Sequence, residues 1–330
     1  MNKRTLENAS VLVTGGAGFI GSNLVAALLE QNNRVICLDN FSTGKEENIA
    51  GFITNPAFRL IRGDIRNTAD CELAVAGVGY VFHLAALGSV PRSVNDPLST
   101  HEVNVTGFLN MLLASRKAGI KRFIYASSSS VYGDLEELPK VEDRTGTPIS
   151  PYGFSKLAGE HYAGLFSRLY GTDCIGLRYF NVFGQHQSPE GPYAAAIPRF
   201  ISKLLRHEPP EVYGDGTQTR DFTYVGNVVY ANQLAALAPT TKNSHRIYNI
   251  ACNEQISILR LIKELKNMLG ETDPFIRTIE PRFLPVRPGD IMHSLASIRK
   301  AGKELGYEPQ ILFTEGLARA LNWYRHHLSY

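Results

Sequence analysis

Nothing in this sequence of 330 residues offers its cysteines a partner: Cys37, Cys71, Cys174 and Cys252 are widely spaced and no two form a Cys-x-x-Cys pair. Most sit in apolar runs that read as strands, so reduced core residues are expected, not disulfides or metal ligands. The nine histidines include no His-Glu-x-x-His and no cluster with cysteine, and no metal site is expected. No run approaches the roughly 18 apolar residues of a bilayer-spanning helix. The first apolar run, Val11–Val13, leads directly into glycines and lacks the form of a secretion signal. A cytoplasmic protein without membrane contact is the expectation. Charge of one sign is lacking too: a net +3 spread over mixed residues leaves no basic stripe, so nucleic acid is not an expected partner. Proline and glycine are too few for disorder, and no repeat with a period of about 20 to 50 residues is present.

What is present is alternation. Short β-branched or aromatic runs predict strands at Val11–Thr14, Arg34–Asp39, Arg59–Arg62, Tyr80–Leu84, Arg122–Ser127 and Cys174–Tyr179. Amphipathic stretches between them predict helices beginning near Phe19, Asp70, Leu98 and Pro151. Strand and helix in turn give a Rossmann-type α/β fold with a doubly wound parallel sheet. After Phe180 the texture changes. Gly184–Tyr193 and Glu208–Thr219 read as long loops around a helix at Ala194–Arg206, and Arg246–Ala251 reads as a strand returning to the sheet. Ser257–Leu269, with Ser257 as N-cap, and Thr314–His326 read as further helices. The expected organisation is a dinucleotide-binding domain over 1–181, with returning segments near 225–251. A smaller mixed α/β lobe over 182–330, interleaved with the first, is expected to bind substrate.

The run Val11-Leu-Val-Thr-Gly15-Gly-Ala-Gly18-Phe-Ile-Gly21 places three glycines where a strand turns into a helix. Without side chains there, backbone can approach a pyrophosphate at the helix N-terminus, where free amides and the helix dipole favour anions. Asp39 ends the next strand, placed to accept hydrogen bonds from an adenosine ribose and to repel a 2′-phosphate. The following Asn40-Phe-Ser42-Thr43-Gly44 holds no arginine to welcome one, so NAD is expected over NADP. Asp64, followed by Ile65, is a candidate adenine-edge contact or a turn carboxylate. Ala85 and Ala86, after Leu84, would let the cofactor lie against backbone. Phe19, Ile20 and Tyr179 complete the expected cofactor set.

Ser150 and Pro151 form a credible helix start, which places Tyr152 and Lys156 at i and i+4 on one face. A cation about 4 Å from a phenol, in an effective dielectric of about 20, is worth roughly 4 kcal/mol, enough for up to about three pK units. A tyrosine base near neutral pH is therefore feasible, helped further by a positive nicotinamide ring. Ser127-Ser-Ser-Ser130 closes the fifth strand at the carboxyl edge of the sheet, where ligands of such folds bind, and one of its hydroxyls can hold the substrate oxygen.

With these motifs the sequence resembles the extended short-chain dehydrogenase/reductases, and within them the UDP-hexose 4-epimerases, particularly those favouring N-acetylated sugars. The resemblance spans nearly the whole chain, through Thr14–Gly21, His83-Leu-Ala-Ala86, Ser127–Gly133, Ser150–Lys156, Leu177–Gly184, Gly214-Asp-Gly-Thr217 and Arg220-Asp-Phe222. It implies Ser128, Tyr152 and Lys156 as the catalytic set with NAD as cofactor. It implies Asn181, Arg220 and Arg287 as contacts to a UDP moiety, with Ala195 and Tyr213 alongside. Related dehydratases and decarboxylases carry acids in the segment matching Ser128–Ser130, whereas this chain has only serines. A 4-keto intermediate then has one fate, re-reduction with inversion at C4. Ser294, where galactose-specific relatives carry tyrosine, together with Gly88 and Ser89, resembles the small wall that accommodates an N-acetyl group; Ser294 facing solvent is the alternative. Asp290 is a nucleotide contact or a turn carboxylate. The resemblance also implies a homodimer through a four-helix bundle of the helices at Leu98–Ala118 and Pro151–Tyr170, against which stands burial of both in the core. The expected reaction is 4-epimerisation of UDP-GlcNAc and UDP-GalNAc. UDP-glucose/galactose or UDP-glucuronate 4-epimerisation and a non-enzymatic NAD sensor or scaffold are the alternatives.

Overall fold

The computed structural model describes residues 4–190, 194–241, 245–286 and 292–327. Its frame is a seven-stranded sheet in which every pair is parallel. Strands β1 (Ser10–Thr14), β2 (Arg34–Asp39), β3 (Phe58–Arg62), β4 (Tyr80–His83), β5 (Arg122–Ser128) and β6 (Cys174–Tyr179) are joined by the returning strand His245–Ile250. The spatial order is returning strand, β6, β5, β4, β1, β2, β3. The chain therefore reverses direction across the sheet between β1 and β4, and a crevice opens at their carboxyl ends.

Both faces of this sheet are covered, as parallel sheets require. Val11 and Val13 point into one apolar cluster and Leu12 into the other, the period of two expected of a strand. One cluster packs under the helices Phe19–Glu30 and Val225–Leu237, the other under Thr68–Val75, Phe108–Lys117 and Pro151–Tyr170. A separate core, including Ile201, Leu261, Leu265 and Leu317, sits among the helices Ala196–Leu205, Ile258–Leu269 and Phe313–His327.

Helix limits follow local chemistry. Ser150 Oγ accepts from Gly153 N at 3.1 Å, Pro151 occupies the first turn and Gly171 closes the helix at φ +70°. Ser257 caps the helix Ile258–Leu269 in the same way, through Arg260 N at 3.1 Å.

Two expectations are corrected. The stretch expected as one helix from Leu98 contains a π-helical segment, Glu102–Gly107, because Asn104 turns its amide inward to bind other elements. The loop expected over Glu208–Thr219 contains a short strand, Glu211–Tyr213, paired in parallel with Arg282–Leu284 from far along the chain.

Candidate active site

The crevice is a cavity of about 710 Å³ that runs from Asp39 and Asp64, past the glycine turn, to Ser128, Tyr152 and Lys156 and on to Asn181 and Ala195. At the glycine turn backbone meets backbone. Gly15 has φ +69°, and a Cβ there would stand 2.8 Å from Ala85 Cα; one on Gly21 would stand 2.0 Å from Gly15 O. Gly18 begins the helix without a side-chain cap and the first turn carries no acid, so its amides face the cavity with their positive dipole end uncompensated. That is a cradle for a pyrophosphate. Asp39 is buried, and its carboxylate accepts from Ala17 N and Phe41 N at 2.9 and 2.8 Å. Burial holds its carboxyl above the usual range despite these bonds. Asn40 Nδ2 donates to Asp64 Oδ2 at 2.8 Å, and Asp64 also grips Arg66, which lowers its carboxyl to about 2.

Phe19, Ile20, Ser42, Thr43, Ile65, Leu84, Ala85 and Ala86 line the same cavity; Gly44 lies just behind it, where a Cβ would meet Asp39 Oδ1 at 3.0 Å. Tyr179 lines it too, with its hydroxyl engaged by Asn232. These residues fit a dinucleotide: a bare helix end for the phosphates, small residues for close approach and carboxylates at the ribose end.

At the other end Lys156 Nζ donates to Ala126 O at 2.9 Å and stands 5.9 Å from the Tyr152 ring centroid. Ser128, hydrogen-bonded to the Tyr152 phenol, also accepts from Ser130 N. The expected depressed phenol is not what these groups produce. Burial raises Tyr152, the Ser128 bond being the opposing influence, while burial lowers Lys156 to about 8. The ammonium lies over the ring, and desolvation outweighs its field. Ser127 is turned away from this chemistry: its hydroxyl donates at 2.5 Å to Glu160, which forms a buried two-point ion pair with Arg178. His83 bonds the Thr14 hydroxyl, stacks on Phe123 and is held neutral by burial, a packing role.

Gly88, Ser89, Asn181 and Ala195 reach the cavity, and Asn181 does so with a left-handed backbone, φ +34°. Tyr213, Arg220 and Ser294 are not among its lining residues. They border the stretch 287–291: Tyr213 pairs with Leu284 before it, while Arg220 donates to Met292 O and Ser294 N donates to Thr219 O after it. Arg287 and Asp290 lie outside the described residues.

Sequence reasoning missed the residues that hold Tyr152. Its amide donates to buried Ser93 Oγ at 3.0 Å, and its carbonyl accepts from Ser155 Oγ at 2.8 Å. Asn104 in turn binds Ser155 Oγ and both backbone groups of Leu87. The available signal was an asparagine in the otherwise apolar Val103-Asn-Val105. Arg92 and Lys45, which line the cavity, were also unmarked.

Residues 11–251 match the model of the family described as the NAD dependent epimerase/dehydratase family. The chain belongs to that family. A putative UDP-glucose 4-epimerase of Methanocaldococcus jannaschii is 40% identical over 315 residues, 95% of this chain and 97% of the relative. Among solved structures, a UDP-N-acetylglucosamine 4-epimerase from Methanobrevibacter ruminantium, in complex with UDP-N-acetylmuramic acid, is similar with a TM-score of 0.90 at 39% identity, over 98% of this chain and 100% of its own. A UDP-glucose 4-epimerase from Thermotoga maritima, with UDP-glucose, is similar with a TM-score of 0.89 at 37% identity, over 97% of this chain and 100% of its own. As in the rest of the epimerase/dehydratase family, the cofactor is NAD.

Proposed function

We propose that this chain is a UDP-sugar 4-epimerase whose preferred substrates are the N-acetylated pair UDP-GlcNAc and UDP-GalNAc. The observation that carries the reaction type is the wall beside Tyr152: Ser128, Ser129 and Ser130 line the cavity, with no carboxylic acid among them to drive elimination or decarboxylation. Glu160, the acid bound to Ser127, is committed to Arg178. Bound NAD would supply the hydride acceptor and donor for C4.

Ser128 donates its hydroxyl proton to a hydrogen bond on O4. Tyr152 enters as the phenolate, favoured by the Lys156 ammonium and by the positive ring that bound NAD would bring, takes the 4-hydroxyl proton as the carbonyl forms and returns it after the sugar has presented its other face. Lys156, fixed by Ala126 O, offsets the phenolate charge. Atoms balance with no net oxidation. The substrate lobe over 182–330 supplies the nucleotide contacts, with Asn181 and Arg220 at its edge and Arg287 in the stretch beyond.

The N-acetyl preference rests on Gly88 and Ser89 in the cavity wall, which leave space where a larger side chain would exclude an acetamido group, and on the resemblance that sets small Ser294, outside the lining, where galactose-specific relatives carry tyrosine. It is supported by likeness to a UDP-N-acetylglucosamine 4-epimerase, while other relatives bear UDP-glucose names. Purified protein incubated with UDP-GlcNAc should yield UDP-GalNAc by NMR. Ser294→Tyr should lower that turnover by about tenfold or more while sparing UDP-glucose. Absence of a GalNAc product from NAD-loaded protein refutes the preference; turnover of no UDP-sugar refutes the reaction. A homodimer formed through the helical face carrying Leu98, Phe154 and Leu169 completes the proposal, supported by their exposure.

A further inference from the structure

Asp221 lies outside the cavity, is fully buried, and is the neighbour of Arg220. Its carboxylate gathers main chain from two distant segments. Oδ1 accepts from Cys252 N at 2.9 Å and Oδ2 from Ala296 N at 3.1 Å, and the amides of Asn253 and Glu254 also bond it. Asn253 has φ +56°, the tight turn that brings successive amides around one anion. The Asp221 carbonyl accepts from Asn181 Nδ2 at 3.1 Å, and Asn181 O accepts from Thr223 N at 3.2 Å. Asn181 is thereby held in its left-handed conformation at the cavity wall.

Two of the joined segments carry nucleotide contacts of the reading above, Asn181 after β6 and Arg220 beside Asp221, and Ala296 lies two residues beyond Ser294. We infer that Asp221 is the positioning residue of the nucleotide subsite, fastening the segments that carry Asn181 and Arg220 to the main chain at Cys252 and Ala296. The inference rests on the UDP-sugar reading above. It differs from a contact role, because Asp221 is fully buried outside the cavity.

The charge state of the carboxylate controls this clamp. An ionised carboxylate accepts from every amide around it, whereas a protonated one turns an O–H toward a donor and releases that segment. Burial raises the Asp221 carboxyl to about 6, the backbone bonds opposing the rise. Among the titratable groups around it, His293 on the adjoining segment shares a hydrogen bond with the Thr219 hydroxyl at 3.1 Å. The Cys252 thiol is pushed up to about 12 by burial, Asp221 adding to the rise. Burial raises Tyr307 well above its ordinary value, and its hydroxyl donates to Ala251 O. Glu254 is paired with Arg260, and the Arg220 guanidinium donates to the carbonyls of Thr219 and Met292.

The test measures UDP-glucose affinity by calorimetry on NAD-loaded protein, with bound NAD and melting temperature recorded, from pH 8 to pH 5. UDP-glucose is chosen because its diphosphate diester does not titrate there. In the unaltered protein affinity should fall as pH drops through about 6, with NAD retained. Asp221→Asn keeps the shape but sets an NH2 against a backbone donor; it should weaken UDP-glucose by about tenfold at pH 8 and flatten the pH profile. On a substrate that turns over, KM should rise and kcat stay within about threefold. A flat pH profile in the unaltered protein overturns the inference even if the variant does not fold. Unchanged affinity in the variant, or joint loss of NAD, kcat and melting temperature, also overturns it. Unaltered protein that binds no UDP-glucose at any pH overturns the UDP reading instead.

Discussion

Tyr152 is held by its backbone before its phenol does anything. Its amide is one of the donors that a helix start leaves without an internal partner, and Ser93, from a different helix, accepts it; Ser155 secures the carbonyl. The phenol is thus aimed by groups on three elements while Ser128 binds it. Tyr152→Phe keeps this scaffold and removes only the hydroxyl. Its turnover should fall on the order of 10²- to 10⁴-fold with NAD still bound, measured by product NMR and cofactor absorbance; unaltered turnover rejects Tyr152 as the base. The Tyr-x-x-x-Lys spacing made this pair legible in the sequence. The sign of the phenol's shift was not, because spacing gives a Coulomb attraction but no burial, and here burial prevails.

Among elements, the two helical stretches beside the site each have two duties. Pro97–Lys117 sends Asn104 inward from its π-helical segment to bind Leu87 and Ser155, and Pro151–Tyr170 carries Tyr152 and Lys156. Outward they expose Leu98 at 77% and Phe154 at 58%, beside a small hollow that Pro97 and Pro151 also line, and Leu169 at 67% further along the second helix. A second copy would remove these groups from water. Light scattering should give twice the chain mass for the unaltered protein and the single-chain mass for Leu98→Asp with Leu169→Asp, NAD content unchanged. Single-chain mass for the unaltered protein removes the dimer. The two helices were legible from apolar spacing and capping residues. The interruption at Glu102–Gly107 was not, since it arises from where Leu87 and Ser155 arrive in space.

At the scale of the whole molecule, the sheet was legible almost strand by strand because its signals are local: apolar runs of strand length, glycine at the turn and serine at the cap. The substrate side was not. Its short pairs, Glu211–Tyr213 with Arg282–Leu284 and Thr219–Arg220 with Ile256–Ser257, join distant residues and leave no periodic trace. The fold also couples its stability to pH. Burial lowers His83 to about 3 and His245 to about 4, so between those values and about 6.5 the unfolded chain binds protons that the native chain refuses. Stability from these two groups is complete above about 6.5 and is lost as pH falls through their native values. Asp221, raised to about 6, acts oppositely over its narrower range. Melting temperature should fall between pH 6.5 and 4.5, and less steeply in His245→Gln; an equal slope in the variant assigns the loss elsewhere. Cys37, finally, lies under the glycine turn, where a Cβ on Gly16 would come 2.5 Å from its sulfur. All four thiols are buried and each is pushed up to about 12, so the native protein presents almost no thiolate to a reagent. Alkylation of Cys37 then proceeds only during moments when that turn lifts from the sheet. The chain carries its own clock for how often the phosphate cradle opens.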